Sequence, residues 1–241
     1  MKISVIIPTH NEEEHIATAL SAIFEQDHPD FEVIIIDNAN TDKTLEIAKK
    51  FPVRIVSETR RGTMWACERG RQDARGDIVV RMDADCIPPK DWLSRGAAHF
   101  IDPKISGVSG PYDYHDADLL FRKSSIYFQY VVYKGVNFLL QRIPGRGGVM
   151  IGGNSFFRAK SLAAAGGFNT DIYFYGDDTD SAKRVSKHGK VVFNNGLVMK
   201  TSARRFHKEG ILKLQFKYII PFFKVIFYGS KRLSKEYKGY K

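Results

Sequence analysis

The sequence predicts an α/β protein with a mostly parallel central sheet between two layers of helices. Short apolar runs typical of strands alternate with segments whose apolar residues recur at helical spacing. Polar residues follow three of the apolar runs, at the strand ends where parallel sheets bind ligands. The chain has 241 residues, 43% of them hydrophobic, which is enough for one large domain or two small ones.

Strand and helix alternate regularly in the first half. Residues 3–8 predict a buried strand, and residues 11–26 switch to helical spacing, with Asn11 as the N-cap. The later elements are a strand at 31–37, a helix at 41–51, a strand at 53–58, a helix at 63–75 and a strand at 78–83. This alternation predicts a doubly wound sheet covered on both faces.

The second half is less regular and richer in aromatic residues. Strands are predicted at 105–110 and 155–158, helices at 119–143, 160–166 and 178–188, and a basic, glycine-rich loop at 142–148. We expect residues 112–148 to shape the acceptor side of any site, because the first half supplies the polar strand ends.

The formal charge of +10 predicts an anionic partner, and nucleic acid, anionic lipid and a phosphorylated ligand all qualify. Cys67 and Cys86 are too few for a disulfide framework or a cysteine-based zinc site. No uninterrupted apolar run reaches the roughly 18 residues of a spanning helix, and the start of the chain is not typical of a signal peptide. The expected setting is the cytoplasm, including the cytoplasmic face of a membrane.

Glycine-rich phosphate loops are excluded. No G-x-G-x-x-G follows the first strand, and no G-x-x-x-x-G-K-[ST] occurs in the chain. The first helical segment opens instead with three acids, Glu12 to Glu14, which suit a helix N-terminus but repel phosphate. A nucleotide is therefore expected to present its base or ribose here.

A D-x-D triplet, Asp83-Ala84-Asp85, ends the fourth predicted strand. Alternation along an extended segment sends both carboxylates to one side, where they repel each other unless a cation lies beside them. Mn²⁺ and Mg²⁺ take oxygen ligands and are often held by one or two carboxylates plus ligand phosphates. The triplet indicates a metal-assisted diphosphate site, although a D-x-D alone is more often a solvated turn.

Six stretches occur together in the order and spacing of one known family. They are SVIIPTHNEE (4–13), EVIIIDNANTDKT (32–44), RRGTMWACERGRQDARGD (60–77), VVRMDADCIPP (79–89), GGNSFFRAKSLAAAGGFN (152–169) and YGDDTDSAKRVSKHG (175–189). Through them the chain resembles the family 2 glycosyltransferases, which have a Rossmann-like GT-A type fold. The resemblance implies transfer of a sugar from a nucleoside-diphosphate sugar to a saccharide or lipid-linked acceptor. It also implies Mn²⁺ or Mg²⁺ as cofactor and inversion at the anomeric carbon.

The resemblance also assigns a donor site. In the family, two successive acids after the second strand usually bind the nucleotide base; here Asp37 matches and Asn38 replaces the second acid. Asp83 is implied to contact the ribose or the metal, and Asp85 to be the principal metal ligand. The same pocket is implied to include Pro8, Thr9, Asn11 and Glu12.

Asp177 and Asp178 open the predicted helix near the end of the matching region. Taken alone, they are most simply a capping cluster that favours a helix N-terminus. The resemblance implies that the pair supplies the catalytic base, and Asp178 is the better match. An acceptor hydroxyl must lose its proton as it attacks, and a carboxylate within hydrogen-bond reach can take it.

Basic residues supply further candidates. Similar transferases close a carboxy-terminal loop over the diphosphate, which makes His207 a candidate metal ligand and Arg204 a candidate donor contact. Arg61, beside Arg60, is a second candidate donor contact. For each of them a solvated surface position is the alternative.

The chain is expected to divide into a catalytic domain, 1–210, and a basic aromatic segment, 211–241. Lys217, Pro221 and Lys224 interrupt any spanning helix in the segment. Two interpretations stay open: an interfacial segment on an anionic membrane, or a helix packed on the domain with a solvated tail.

Two other functions are weighed against glycosyl transfer. A sugar-1-phosphate nucleotidyltransferase is expected to carry a glycine- and arginine-rich loop after its first strand, and the acidic THNEEE is its opposite in charge. A nucleic-acid-binding protein would use the +10 charge and the 12% aromatic content for phosphate contacts and stacking. Nucleic acid is not the expected partner.

Overall fold

The computed structural model describes residues 1–143, 147–172, 175–230 and 233. The strands are β1 (Ile3–Thr9), β2 (Phe31–Asp37), β3 (Arg54–Ser57), β4 (Ile78–Arg81), β5 (Ile105–Ser109), β6 (Tyr112–Tyr114), β7 (Ser155–Arg158), β8 (Lys190–Phe193) and β9 (Met199–Thr201). A seven-stranded sheet has the order β3-β2-β1-β4-β7-β5-β8, and β6 pairs with β9 in a small second sheet. Within the large sheet β7 runs antiparallel to both neighbours, so the predicted mostly parallel sheet is confirmed.

The helices lie between the strands as the periodicity predicts. They are α1 (Ile16–Phe24), α2 (Thr44–Ala48), α3 (Thr63–Asp73), α4 (Trp92–Ala98), α5 (Leu119–Phe128), α6 (Lys134–Leu140), α7 (Ala159–Ala164), α8 (Asp177–Val185), α9 (Arg204–Glu209) and α10 (Ile211–Tyr228). A π-helical stretch, Gln129–Tyr133, joins α5 to α6 inside the segment predicted as one helix. The central residues of the predicted loop at 142–148, 144–146, lie outside the described residues.

Side-chain alternation along the strands divides the core between the two faces of the sheet. Ile3, Val5 and Ile7 of β1 pack with α1 and α4, whereas Ile6 packs with α3 and α8 on the other face. Both faces are therefore apolar and covered by helices, which is the three-layer arrangement expected of a parallel sheet.

The strand order opens a crevice beside β1. β1 pairs with β2 on one side and with β4 on the other, so the order reverses there, and ligands bind at such switch points. Pairing between β1 and β4 stops at Ile6 and Arg81. Pro8, which has no N–H to donate, follows that point and so costs the β1–β4 ladder no hydrogen bond.

Two local predictions are wrong. Asn11 is not the N-cap of α1, because the helix begins at Ile16 and Asn11 has φ 56°, with its side chain turned to the next loop. The strand predicted to reach residue 83 ends at Arg81, and the N–H of Cys86 donates to the Asp83 carbonyl at 3.1 Å. The two acids of the D-x-D triplet therefore lie on a turn and not on an extended segment.

The first part of the carboxy-terminal segment forms α10, which contains Pro221. Leu214, Pro221 and Val225 are buried against the domain, while most other apolar side chains of the helix are exposed. No helix within the described ranges is long and apolar enough to cross a membrane. The basic end of the segment, residues 231–241, lies outside the described residues except for Leu233.

Candidate active site

The turn after β2 is fixed against the end of β1. The Asp37 carboxylate accepts hydrogen bonds from the backbone N–H of Asn40 at 3.1 Å and from its side-chain amide at 2.8 Å. The Thr9 hydroxyl accepts from the same amide at 2.9 Å and donates to the Ile36 carbonyl at 3.0 Å. Asp37 and Thr9, both predicted donor-site residues, thus belong to one network.

Asn11 and Glu12 complete this side of the site. The Asn11 side-chain oxygen accepts from the N–H of Thr41 at 2.8 Å, which ties the loop after β1 to the loop after β2. Glu12 receives two hydrogen bonds from the Arg204 guanidinium, at 2.7 and 2.9 Å. A cleft of about 340 Å³ opens here, lined in part by Asn11, Glu12 and Arg204.

Asn38 is buried and all of its side-chain polar atoms are hydrogen-bonded within the chain. Its amide nitrogen donates to the carbonyls of Glu58 at 2.9 Å and Arg60 at 2.8 Å, and its oxygen accepts from the N–H of Gly62 at 2.9 Å. An aspartate could not make the two donations. The replacement of the family's second acid therefore coincides with a side chain that holds the loop between β3 and α3.

The two arginines before α3 have different surroundings. The guanidinium of Arg60 bonds both carboxylate oxygens of Glu58 at 2.8 Å and lies 3.8 Å from the ring centroid of Trp65. Arg61, the predicted donor contact, is exposed. Arg61 therefore remains a prediction.

The D-x-D turn places its acids in different environments. The Asp83 side chain is 34% exposed, whereas that of Asp85 is 13% exposed and lies 3.1 Å from the Arg204 guanidinium. Burial raises the pKa of the Asp85 carboxyl, the Asp83 charge raises it further, and Arg204 opposes both. Negative charge is thus concentrated at the end of β4.

This donor set fits a divalent cation held by two carboxylates and completed by ligand oxygens. Added positive charge would relieve the repulsion that raises the Asp85 pKa. Among the described residues, no three His, Cys, Asp or Glu side chains are arranged to hold a metal ion. The exposed His207 of α9 is accordingly not brought together with Asp83 and Asp85.

A buried ion pair connects the D-x-D turn with α8. Arg81, at the end of β4, donates through Nη1 to Asp177 Oδ2 at 2.5 Å, and its Nε lies 3.6 Å from Asp83 Oδ1. Asp177 is the first residue of α8 and precedes Asp178. The two predicted acidic sites are far apart in the sequence, but this contact across 96 positions brings them together in the structure.

Asp178 is partly buried and has an unusual proton affinity. Burial and, to a lesser degree, the Asp177 charge raise the pKa of its carboxyl to about 7, although the N–H of Thr179 and the charge of Arg81 oppose the rise. The Asp178 charge in turn contributes to the raised pKa values of Tyr133 and Tyr218. A carboxylate that exchanges a proton near neutral pH suits general base catalysis.

Comparison with known proteins decides the family. The sequence profile of Glycosyl transferase family 2 matches residues 4–166. The chain belongs to this family. The mannosyltransferase PcManGT from Pyrobaculum calidifontis, solved in complex with GDP-Man and Mn²⁺, superposes with a TM-score of 0.75 at 24% identity, covering 97% of this chain and 68% of that one. This likeness confirms the GT-A type fold.

Curated members of family 2 match part of the chain. Glycosyltransferase AglE of Haloferax volcanii is 33% identical over 116 residues, which are 45% of this chain and 38% of the relative. A dolichyl N-acetyl-α-D-glucosaminyl phosphate 3-β-D-2,3-diacetamido-2,3-dideoxy-β-D-glucuronosyltransferase of Methanococcus voltae is 33% identical over 122 residues, with the same two coverages. The chain thus spans well under half the length of these relatives.

Sequence reasoning missed several residues of this candidate site. Arg81 was detectable, because a charged residue inside an otherwise apolar strand requires a buried partner. Asn40 carries the weaker signal of a turn residue, and nothing in the sequence indicates that Tyr133 and Tyr218 lie near Asp178. Neither cysteine is a candidate nucleophile, because both are buried and burial raises the pKa of Cys67 to about 12.

Proposed function

We propose that this family 2 chain transfers a sugar from a nucleoside-diphosphate sugar to a hydroxyl acceptor, with inversion at the anomeric carbon. One observation carries the proposal. Asp178, a partly buried carboxylate with a pKa raised to about 7, lies at the same sheet edge as Asp83 and Asp85, and the Arg81–Asp177 contact joins the two groups.

The donor side uses the loops that follow β1 and β2. In this proposal Asp37 binds the nucleotide base, Asp83 meets the ribose or the cation, and Thr9 and Asn11 hold the loop shape. Pro8 and Glu12 border the same pocket. In the same proposal Arg204, which pairs with Glu12 and Asp85, binds the diphosphate, and these pairs support its place at the donor site.

Asp83 and Asp85 would hold Mn²⁺ or Mg²⁺, which, when bound, supplies positive charge beside the departing nucleoside diphosphate. The mannosyltransferase with the similar fold was solved with Mn²⁺, which supports this choice of ion. His207 remains a candidate ligand only if α9 moves.

Asp178 acts as the base. It accepts the proton of the acceptor hydroxyl while that oxygen attacks the anomeric carbon on the face opposite the diphosphate, which inverts the configuration. Partial burial keeps bulk water from Asp178 and raises its proton affinity, so the proton transfer is favourable near neutral pH.

We propose that the acceptor is lipid-linked or a saccharide, and that α10 lies on an anionic membrane surface. The Methanococcus voltae relative is named for a dolichyl phosphate substrate. On this chain, α5, α6 and α10 carry exposed apolar residues, including Phe128, Phe138 and Phe223. Tyr133, between α5 and α6, and Tyr218 of α10 lie close enough to Asp178 to be affected by its charge. Large exposed apolar surfaces of this kind are typical of membrane or lipid contacts.

A thermal-shift screen of nucleoside-diphosphate sugars, with and without Mn²⁺, tests the function. A matching donor is expected to raise Tm only when Mn²⁺ is present, because binding to the folded state stabilises it. Asp85→Ala should abolish that rise. Asp30→Ala, which removes an exposed acid just before β2, should keep it.

Two results would contradict the proposal. A donor-induced shift of unchanged size in Asp85→Ala would remove the metal-ligand role. An unchanged anomeric configuration of the product, read from the anomeric proton by NMR, would remove Asp178 from the role of inverting base.

A further inference from the structure

Arg81 is a charged side chain at the carboxyl end of β4, the central strand of the seven-stranded sheet. It lies on β4 opposite Ile6 of β1 and Ser155 of β7, and only 6% of it is exposed. An arginine at such a position persists only when a partner satisfies its charge. The identity of that partner therefore indicates what the residue does.

The hydrogen bonding of Arg81 is directed at Asp177. Its Nη1 donates to Asp177 Oδ2 at 2.5 Å, and the Asp177 side chain is itself only 14% exposed. By contrast, Nε is buried and makes no hydrogen bond with any described residue, although Asp83 Oδ1 is 3.6 Å away. The guanidinium thus forms a hydrogen-bonded ion pair with Asp177, whereas it interacts with Asp83 only electrostatically.

The chain around the guanidinium is shaped to keep it there. A Cβ atom on Gly152, in the turn before β7, would lie 2.8 Å from Nη2 of Arg81, and one on Gly153 would lie 2.6 Å from Cγ of Asp83. Side chains at either position would displace the arginine or the acid. The two adjacent glycines therefore leave room for the charged side chains of Asp83, Arg81 and Asp177.

We propose that Arg81 is a positioning residue, which holds the first turn of α8 and hence the Asp178 carboxyl at a fixed place beside the D-x-D turn. The proposal rests on the proposed function, in which Asp178 is the base. Arg81 acts through Asp177 and contacts neither donor nor acceptor itself.

The acidity of Asp178 gives a readout of this role. Among the described residues, four groups interact with its charge: Asp177 from α8, Arg81 from β4, Tyr133 from the π-helical stretch, and Tyr218 from α10, which is itself hydrogen-bonded to Arg205 of α9. Arg81 is the cation among those four, and it lowers the pKa that burial and Asp177 raise. Loss of that cation leaves the rise less opposed.

The first test measures release of nucleoside diphosphate, with water as acceptor, from the donor that gives the largest thermal shift with Mn²⁺. Arg81→Met should lower kcat by roughly 100-fold, because the base is misplaced. The acid limb of the kcat–pH profile, where activity falls as Asp178 takes up a proton, should move in this variant to higher pH by roughly one unit. Arg81→Lys keeps the charge but not the planar fork, so its acid limb should stay in place while kcat remains roughly ten-fold low.

The second test needs no substrate, so it separates this proposal from the proposed function. Arg81→Met should lower Tm by roughly 6 °C or more, because it leaves the Asp177 charge buried and unpaired. Adding Asp177→Asn should recover much of that loss, as expected of residues in direct contact. Arg158→Lys is the control, since the hydrogen bonds of Arg158 to described residues all go to backbone carbonyls, those of Phe100, Asp102 and Ile105. It should lower Tm without moving the acid limb.

Three results would overturn the positioning role. They are wild-type kcat in Arg81→Lys, an unmoved acid limb in a folded and less active Arg81→Met, and no recovery of Tm by Asp177→Asn. A different pair of results would contradict the proposed function instead. In that case wild-type protein neither binds nor turns over any donor, while Asp177→Asn still recovers the Tm lost in Arg81→Met. The Arg81–Asp177 contact would then be established without the proposed function.

Discussion

Asp178 is the residue whose environment most directly predicts a pH dependence. As a base it must be ionised, and its pKa is raised to about 7 by burial and by Asp177. Activity should therefore be full above that value and decline as the pH falls through it, which a kcat–pH profile would measure. If Asp178 had the usual aspartate pKa of about 4, the kcat–pH profile would be flat around neutral pH.

Asp178→Asn should lower kcat by roughly 10²–10⁴-fold and abolish the acid limb, since an amide accepts no proton at these pH values. Donor affinity should change little. The matched control is Asp118→Asn, whose side chain caps α5 by accepting from the N–H of Phe121 at 2.9 Å. An equal loss of kcat in the control variant, or an Asp178→Asn variant that keeps the acid limb, would contradict the role of Asp178 as the base.

The hydrogen bonds of Asn38 predict that an acid, which the family usually has at this position, would destabilise this chain. Asn38→Asp points a carboxylate at the carbonyls of Glu58 and Arg60, and two donations are lost in a buried site. The free energy of unfolding should fall by roughly 2–4 kcal/mol, measured by urea denaturation. The deficit relative to wild type should shrink at acid pH, where the protonated carboxyl can donate one hydrogen bond. A deficit independent of pH would contradict this explanation.

At the scale of the elements, α10 packs on the start of α8. Gly176, the residue before Asp177, has φ 89°, and a Cβ there would lie 2.8 Å from Leu233 and 3.3 Å from Pro221 of α10. Lys183 of α8 donates to the carbonyls of Val225 and Ile226 near the carboxyl end of α10, at 2.7 and 2.9 Å. The helix that bears Asp178 and the helix proposed for the membrane are thus held together at two places.

Gly176→Ala should therefore destabilise the chain by roughly 1–3 kcal/mol and lower kcat, because both the backbone conformation and the packing of α10 resist a side chain. Gly135→Ala is the control: a Cβ at Gly135, inside α6, meets nothing within 4 Å, so this change should preserve or raise Tm. Equal effects of the two substitutions in thermal denaturation would exclude the packing explanation.

The elements show how far the sequence was informative. Residues 31–37 were predicted as a strand with the bounds of β2, because apolar runs and helical spacing report directly on burial. The end of β4 at Arg81 and the start of α1 at Ile16 were not predicted, because hydrogen bonds to distant residues hold the chain beyond each strand. The N–H of Ile87 donates to the Lys200 carbonyl, and that of Thr41 donates to the Asn11 side chain. The Arg81–Asp177 contact spans 96 positions, and only tertiary structure brings such residues together.

At the scale of the whole molecule, the sheet gathers the candidate site at one edge, and α10 extends an apolar surface from it. At 3.6 residues per turn, three groups of side chains fall on separate stripes of the helix. The buried stripe contains Leu214, Pro221 and Val225, the exposed aromatic stripe Phe216, Phe223 and Phe227, and the basic stripe between them Lys213, Lys217 and Lys224. Aromatic residues flanked by lysines are typical of helices that lie in a membrane interface.

This arrangement predicts that the chain floats with anionic phosphatidylglycerol vesicles at low salt and less well at about 0.5 M salt, where charge attraction is screened. The variant Phe216→Ser, Phe223→Ser, Phe227→Ser should lose flotation and keep its Tm, because all three rings are exposed. Ile101→Ser, which changes an exposed apolar residue near the amino end of β5, should float like wild type. Flotation that survives the triple change, or that is equal with neutral phosphatidylcholine, would assign α10 to packing on the domain alone.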